Sequence, residues 1–304
     1  MAKVIDLAVT PVTLCTLTSI FRYRYLTVNQ VATICGLRPK SASELLLRLE
    51  RQKLLASFGN VGIRGYGKTP KVYFITKRGH GVLAEECDAA GREAPPFRQI
   101  NVTSRWSPLM YHRIATLDVL SYVERDCGSL QDYELLGTLV EYRRQKIGKR
   151  FRRETTDYVA NTTDPADKII PDAGFALSHR QSGKRALFLI EVDYGTMRLD
   201  TAIEDEDVAT YTAKLAQYDR YLASGRITDR HPQLGQFKGF HLLTVTTSAA
   251  RIANMRAAAR SLSPLFHKFF RFCTFDQVRQ SILHEDWLSR DHADHNTYRL
   301  IRGH

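Results

Sequence analysis

Residues 169–196 read IIPDAGFALSHRQSGKRALFLIEVDYGT, and the class of fold turns on them. Two apolar runs, Ala173–Ser178 and Ala186–Asp193, flank the turn-forming RQSGK, which is the pattern of a β-hairpin. With the turn centred between Ser182 and Gly183, Asp172 is expected directly opposite Asp193. Glu191, two residues earlier on that strand, then points to the same face. Three carboxylates meeting at one end of a hairpin need a cation or protons to relieve the crowding. Hard oxygen ligands on a rigid hairpin suit Mg²⁺ or Mn²⁺, so Asp172, Glu191 and Asp193 form the expected metal set.

Downstream of the hairpin, VATYTAKLAQYDRYL (208–222) puts Val208, Tyr211, Leu215, Tyr218 and Leu222 on one helical stripe, with Lys214 beside it. FHLLTVTTSAARIANMRAAARSL (240–262) reads as a strand running into a helix, and FRFCTFDQV (270–278) as a further short strand. Upstream, YHRIATLDVLSYVERD (111–126) has the apolar spacing of a helix and YELLGTLVEYRR (133–144) that of a strand. The alternation describes an α/β domain. Between them lies EYRRQKIGKRFRRE (141–154), where Arg143, Arg144, Lys149 and Arg150 are candidates for gripping phosphate.

The order Pro171-Asp172, hairpin, Glu191-Val192-Asp193 resembles the PD-(D/E)XK nuclease superfamily. The resemblance implies a divalent metal on Asp172 and Glu191 that activates water for attack on a phosphodiester, and a lysine that stabilises charge. Asp193 stands where the motif has its lysine. Some members supply that lysine from the next helix, which nominates Lys214 as the catalytic cation here. Lys214–Tyr218 is a variant of the Q-x-x-x-Y spacing that some members carry on this helix, and Gln217–Tyr221 matches it literally.

Toward the start of the chain, an apolar helical segment (9–25) precedes LTVNQVATICGL, where Thr27 can cap a short helix ended by Gly36. RPKSASELLLRLERQKLL then aligns Leu45, Leu46, Leu49 and Leu54. Two apolar arms follow, around a loop rich in glycine and basic residues. This order resembles a winged helix-turn-helix. By that resemblance Lys40, Ser41, Ser43 and Glu44 face base edges, while Arg48, Arg51 and the wing residues Arg64, Lys68 and Lys71 contact phosphate.

The 304 residues carry 44 Lys+Arg against 32 Asp+Glu, a net +12 that calls for a polyanionic partner. Residues 1–106 hold 16 basic against 7 acidic side chains, so most of the excess belongs to the candidate DNA-reading segment. No apolar stretch is long enough to span a bilayer and no secretory signal pattern is present, so the expected partner is double-stranded DNA rather than a membrane, in the cytoplasm. The five scattered cysteines form no CxxC pair and read as buried thiols; His284, His292 and His295 read as part of a mobile tail.

The expected organisation is a winged helix-turn-helix domain (1–90), a linker (91–109) around Pro95-Pro96, a PD-(D/E)XK-like α/β domain (110–280) and a C-terminal tail (281–304). Taken in order, these motifs resemble the plasmid replication-relaxation family. That resemblance implies a DNA-binding protein of plasmids, integrative elements or prophages. Two functions follow: site recognition coupled to Mg²⁺- or Mn²⁺-dependent DNA cleavage, or a non-catalytic regulator of transcription or replication that needs no cofactor. The regulator uses the nuclease-like fold for DNA binding or homodimerisation only. A third role is a scaffold that binds another DNA-processing protein.

Overall fold

A computed structural model describes residues 9–301, apart from 60–61, 64–66, 98, 101–107, 142, 148–149, 161–163, 196 and 200–209. The chain divides into two compact units, Met1–Ser121 and Tyr122–His304, and the division falls within one helix, Pro108–Gly128. Among the described residues, no helix is long and apolar enough to cross a membrane.

The first unit begins with helix α1 (Pro11–Tyr23), capped by the Thr10 hydroxyl and started by proline. Strand β1 (Leu26–Thr27) leads into α2 (Val28–Ile34), where Thr27 and Gln30 form a capping box. Gly36, at φ +64°, ends α2, and the Leu37 N–H donates to the Ala32 carbonyl at 2.8 Å. Helix α3 (Pro39–Arg51) follows α2 after four residues, 35–38. Next come β2 (Leu55–Phe58), β3 (Gly62–Ile63), β4 (Gly67–Lys68) and β5 (Val72–Ile75). β5 lies between β1 and β2, all antiparallel, and β3 pairs with β4 beyond them. Helix α4 (Lys77–Ala89) comes next, capped by Thr76. Leu17, Ile20, Val31, Leu46, Leu49 and Val72 are among the side chains that close this core. The N-terminal part of α5 (Pro108–Gly128) belongs to the same unit, where Gln30 donates to the Ile114 carbonyl and to Asp118.

The second unit is built on a mixed sheet. Its elements are β6 (Tyr133–Val140), β7 (Arg144–Ile147), β8 (Arg150–Arg153), β9 (Asp157–Tyr158), β10 (Lys168–Ile169), β11 (Ala173–His179) and β12 (Arg185–Asp193). These are followed by α6 (Tyr211–Ser224), β13 (His241–Thr246), α7 (Ala249–Ala258), β14 (Phe270–Thr274), α8 (Phe275–Gln280), β15 (Trp287–Ser289) and β16 (Thr297–Tyr298). Among the described residues the main sheet has seven strands in the order β16-β15-β14-β13-β12-β11-β6. β12, β13 and β14 run parallel, joined through α6 and α7, and the flanking pairs are antiparallel. Tyr211, Leu215, Tyr218 and Tyr221 of α6 pack into the core with Leu187, Leu189, Phe240 and Leu242. The mixed α/β class is thus as expected.

Two expectations change. The hairpin register is displaced by two residues: Ala173 lies opposite Ile190 and Ser178 opposite Arg185. The turn is centred between Gln181 and Ser182, one residue earlier than expected, with Gly183 at φ +65° and its N–H donating to the His179 carbonyl at 2.8 Å. The Ser182 N–H is meanwhile accepted by the His179 ring at 3.1 Å. A two-residue shift keeps every side chain on its expected face. The segment taken as a tail is also corrected: β15 and β16 complete the sheet, and Trp287 and Arg290 are fully buried. Arg290 has an ion pair with Asp219 at 2.7 Å and lies over the Phe270 ring.

Candidate functional site

Parallel strands place their carboxyl ends along one edge, where the first turns of the following helices also arrive. Glu191 and Asp193 end β12 on the same face, beside Thr244 and Thr246 of β13. Both carboxylates are buried. The corrected register changes their neighbour. The Asp172 N–H donates to the Ile190 carbonyl at 3.0 Å and its Oδ2 accepts from the Val192 N–H at 2.8 Å, so Asp172 stands beside Glu191 instead of Asp193.

Each buried carboxylate has a cation of its own. The Lys214 ammonium donates to Glu191 Oε2 and the Tyr218 hydroxyl to Oε1. One helical turn separates those two donors, and the stripe that buries Tyr218 holds Lys214 over the strand end. Burial pushes the Glu191 carboxyl up to about 7, reinforced by Asp172 and opposed by Lys214. Burial disfavours the Lys214 charge, yet the carboxylates of Glu191 and Asp172 outweigh it and hold the ammonium above its usual range. Asp193 is gripped by Arg251 of α7, whose Nε lies 3.0 Å from Oδ2 and whose second nitrogen lies 3.3 Å from Oδ1. The Thr246 hydroxyl donates to the same Oδ2 at 2.8 Å.

The structure therefore brings Asp172, Glu191 and Lys214 together and assigns Asp193 to a separate ion pair. Among the described residues, no group of three or more His, Cys, Asp and Glu side chains is arranged to hold a metal. Asp172 and Glu191 stand side by side, but the Glu191 oxygens accept from Lys214 and Tyr218 and Asp172 Oδ2 from the Val192 N–H, so a divalent cation would have to displace Lys214 or Tyr218 to bind both carboxylates. Asp193 does not fit as a third ligand, because both its oxygens are engaged by Arg251. Sequence reasoning missed Arg251. The available signal was its position in the first turn of the helix after the neighbouring parallel strand. The literal Gln217–Tyr221 spacing leads elsewhere: Tyr221 donates to buried Asp157 at 2.6 Å and Gln217 to the Ala166 carbonyl.

The basic segment around β7 and β8 is partly consumed by its own unit. Arg143 pairs with Glu154 at 2.9 Å and donates to the Thr138 carbonyl. Arg152 pairs with Asp157 and Arg153 with Glu141. Arg144 is exposed. Arg150 lies in β8, opposite Ile147, with its side chain outside the description, and Lys149 lies outside the described residues.

In the first unit, α3 has two unlike faces. Ala42, Leu45, Leu46 and Leu49 are buried, whereas Lys40, Ser41, Glu44, Arg48 and Arg51 are exposed and Ser43 is half-buried. Ser41, Glu44 and Arg48 line an open groove of about 390 Å³ together with Val12 and Leu37. Lys68 of β4 is exposed. Lys71 is ion-paired with Glu50 at 2.9 Å, and the Ser57 hydroxyl donates to the same carboxylate. Arg64 lies outside the described residues.

These features define a two-unit α/β protein with an exposed basic helix in one unit and a buried cation–carboxylate cluster at the strand ends of the other. The family model for replication-relaxation matches residues 17–235, and the chain belongs to that family. No curated protein and no solved structure matches it.

Proposed function

We propose that this replication-relaxation protein is a double-stranded DNA-binding protein of a bacterial plasmid, integrative element or prophage. In this reading the first unit recognises DNA as a winged helix-turn-helix. The observation that carries it is the division of α3, whose apolar side is buried while Lys40, Arg48 and Arg51 remain open to solvent on the other. A short helix, a Gly36 turn and this helix are followed by a hairpin with exposed Lys68, an order that suits base contacts from the start of α3 and phosphate contacts from its later turns and the wing. Affinity for duplex DNA should fall steeply between about 50 and 200 mM salt. Fluorescence anisotropy tests it, and salt-independent or absent binding would sink the reading.

A second reading is supported by Lys214 lying on Glu191. Here the other unit resembles PD-(D/E)XK nucleases, Asp172 and Glu191 would hold Mg²⁺ or Mn²⁺ once the ion displaced Lys214 or Tyr218 from Glu191, and Lys214 would stabilise developing charge. The ion would supply Lewis-acid activation of water. Tyr218 holds the Glu191 carboxylate in place, and Arg251 neutralises Asp193. Incubation with supercoiled DNA and either metal, beside Asp172→Asn and a chelator control, decides the matter. Metal-dependent cleavage lost in the variant supports a nuclease. DNA bound but intact under every condition supports the non-catalytic regulator.

A further inference from the structure

The turn between α2 and α3 carries a thiol that the functional readings leave unused. Cys35 caps α2, and its Sγ lies 2.6 Å from the Sγ of Cys15 in the middle of α1. Both are half-buried, so a small oxidant reaches them while the surrounding helices keep the pair together. The Cys35 side is held by backbone geometry: its N–H donates to the Val31 carbonyl at 2.9 Å and Gly36 fixes the turn behind it. The Thr16 hydroxyl, next to Cys15 on α1, lies 3.7 Å from the Cys35 sulfur. Cys273 differs, being buried, with its thiol pushed up to about 12 by burial, and Cys127 is likewise pushed up to about 12.

We propose that Cys15 and Cys35 are a redox site: a peroxide oxidises them to an intrachain disulfide that fastens α1 to the turn preceding α3. One thiolate attacks a peroxide oxygen, giving a sulfenic acid and expelling hydroxide, which leaves as water. The second sulfur then attacks the sulfenic sulfur, an S–S bond forms and a second water leaves. Two S–H bonds are lost, one S–S bond is made, and the peroxide is reduced to two waters. A dithiol reductant reverses the change by exchange. The disulfide closes a segment that contains α2 and most of α1, so the oxidised chain resists unfolding of the first unit.

The test uses the full reduced chain treated with hydrogen peroxide, alkylated with N-ethylmaleimide without reduction, and analysed by intact mass and peptide mapping. The expected result is the loss of two hydrogens per chain, with Cys15 and Cys35 protected together and restored by dithiothreitol. The oxidised protein should also melt several degrees higher, an increase absent in Cys35→Ser. Continued alkylation of Cys15 and Cys35, or crosslinking between chains instead, overturns the proposal. The readouts involve no DNA, so they stand apart from the DNA-binding reading.

Discussion

The two units use the same kinds of side chain in opposite ways. Along α3, Lys40, Arg48 and Arg51 face solvent, whereas α6 and α7 aim Lys214 and Arg251 at Glu191 and Asp193. A cation in water keeps its field available to an external polyanion. One held against a buried carboxylate is neutralised locally and contributes to the fold, where removing either member leaves a charge that nothing solvates. The concentration of net charge in the first third of the chain thus has a structural counterpart.

That contrast can be broken most forcefully in the second unit. Asp193→Ala leaves Arg251, 16% exposed, facing an empty place, and should destabilise the unit by about 3–5 kcal/mol in urea unfolding. A loss under about 1 kcal/mol would mean that solvent already screens the pair.

The next effect is in pH. Because the folded Glu191 carboxyl sits near 7, above its unfolded value, the folded state binds more protons between about pH 4.5 and 7, and stability falls as pH rises through that window. His231 and His241, lowered by burial to about 3 and about 4, work in the other sense: their contribution grows as pH rises toward about 6.5. The clean quantity is the difference between the wild type and Glu191→Gln. The variant should gain on the wild type by up to about 3 kcal/mol from pH 4.5 to 7, measured by urea unfolding across that range. A constant difference would remove the raised carboxyl from the account.

In the first unit, replacing Lys40, Arg48 and Arg51 with alanine should flatten the log-affinity against log-salt plot by about one per residue that meets phosphate. It should leave the melting curve nearly unchanged, because all three are exposed. Lys71→Ala should instead lower stability by a few tenths of a kcal/mol, roughly the worth of a surface ion pair, with little change in the salt slope. Smallest in breadth is Thr27→Ala, which removes one capping box and should cost about 1 kcal/mol in thermal or urea unfolding.

How much of this was legible depended on how local the signal was. The two hairpin strands follow from their apolar runs to within a residue at either end, and the α6 stripe follows from the spacing of Tyr211, Leu215 and Tyr218. The hairpin register was not legible, because RQSGK accommodates turns centred at different residues and a side-chain contact from His179 selects one. Lys214 was within reach of sequence reasoning, since its helix is the next element and its stripe is plain. Arg251 lies 58 residues from Asp193, and only the parallel pairing of β12 with β13 brings α7 to that carboxylate. Strands as short as β15 and β16 carry too few residues to show alternation, so their place in the sheet rests on tertiary packing around Trp287.

The position of those two short strands has a consequence for the order in which the molecule is made. The sheet of the first unit is hydrogen-bonded by residue 75, so it can assemble while most of the chain is still unsynthesised. The large sheet cannot finish until residues 287–298 have been added, and Arg290 then buries itself against Asp219, which has been waiting since α6. During translation the first unit, which ends at Ser121, is therefore complete well before the large sheet, and a ribosome stalled between them would carry a folded first unit with an unfinished second one.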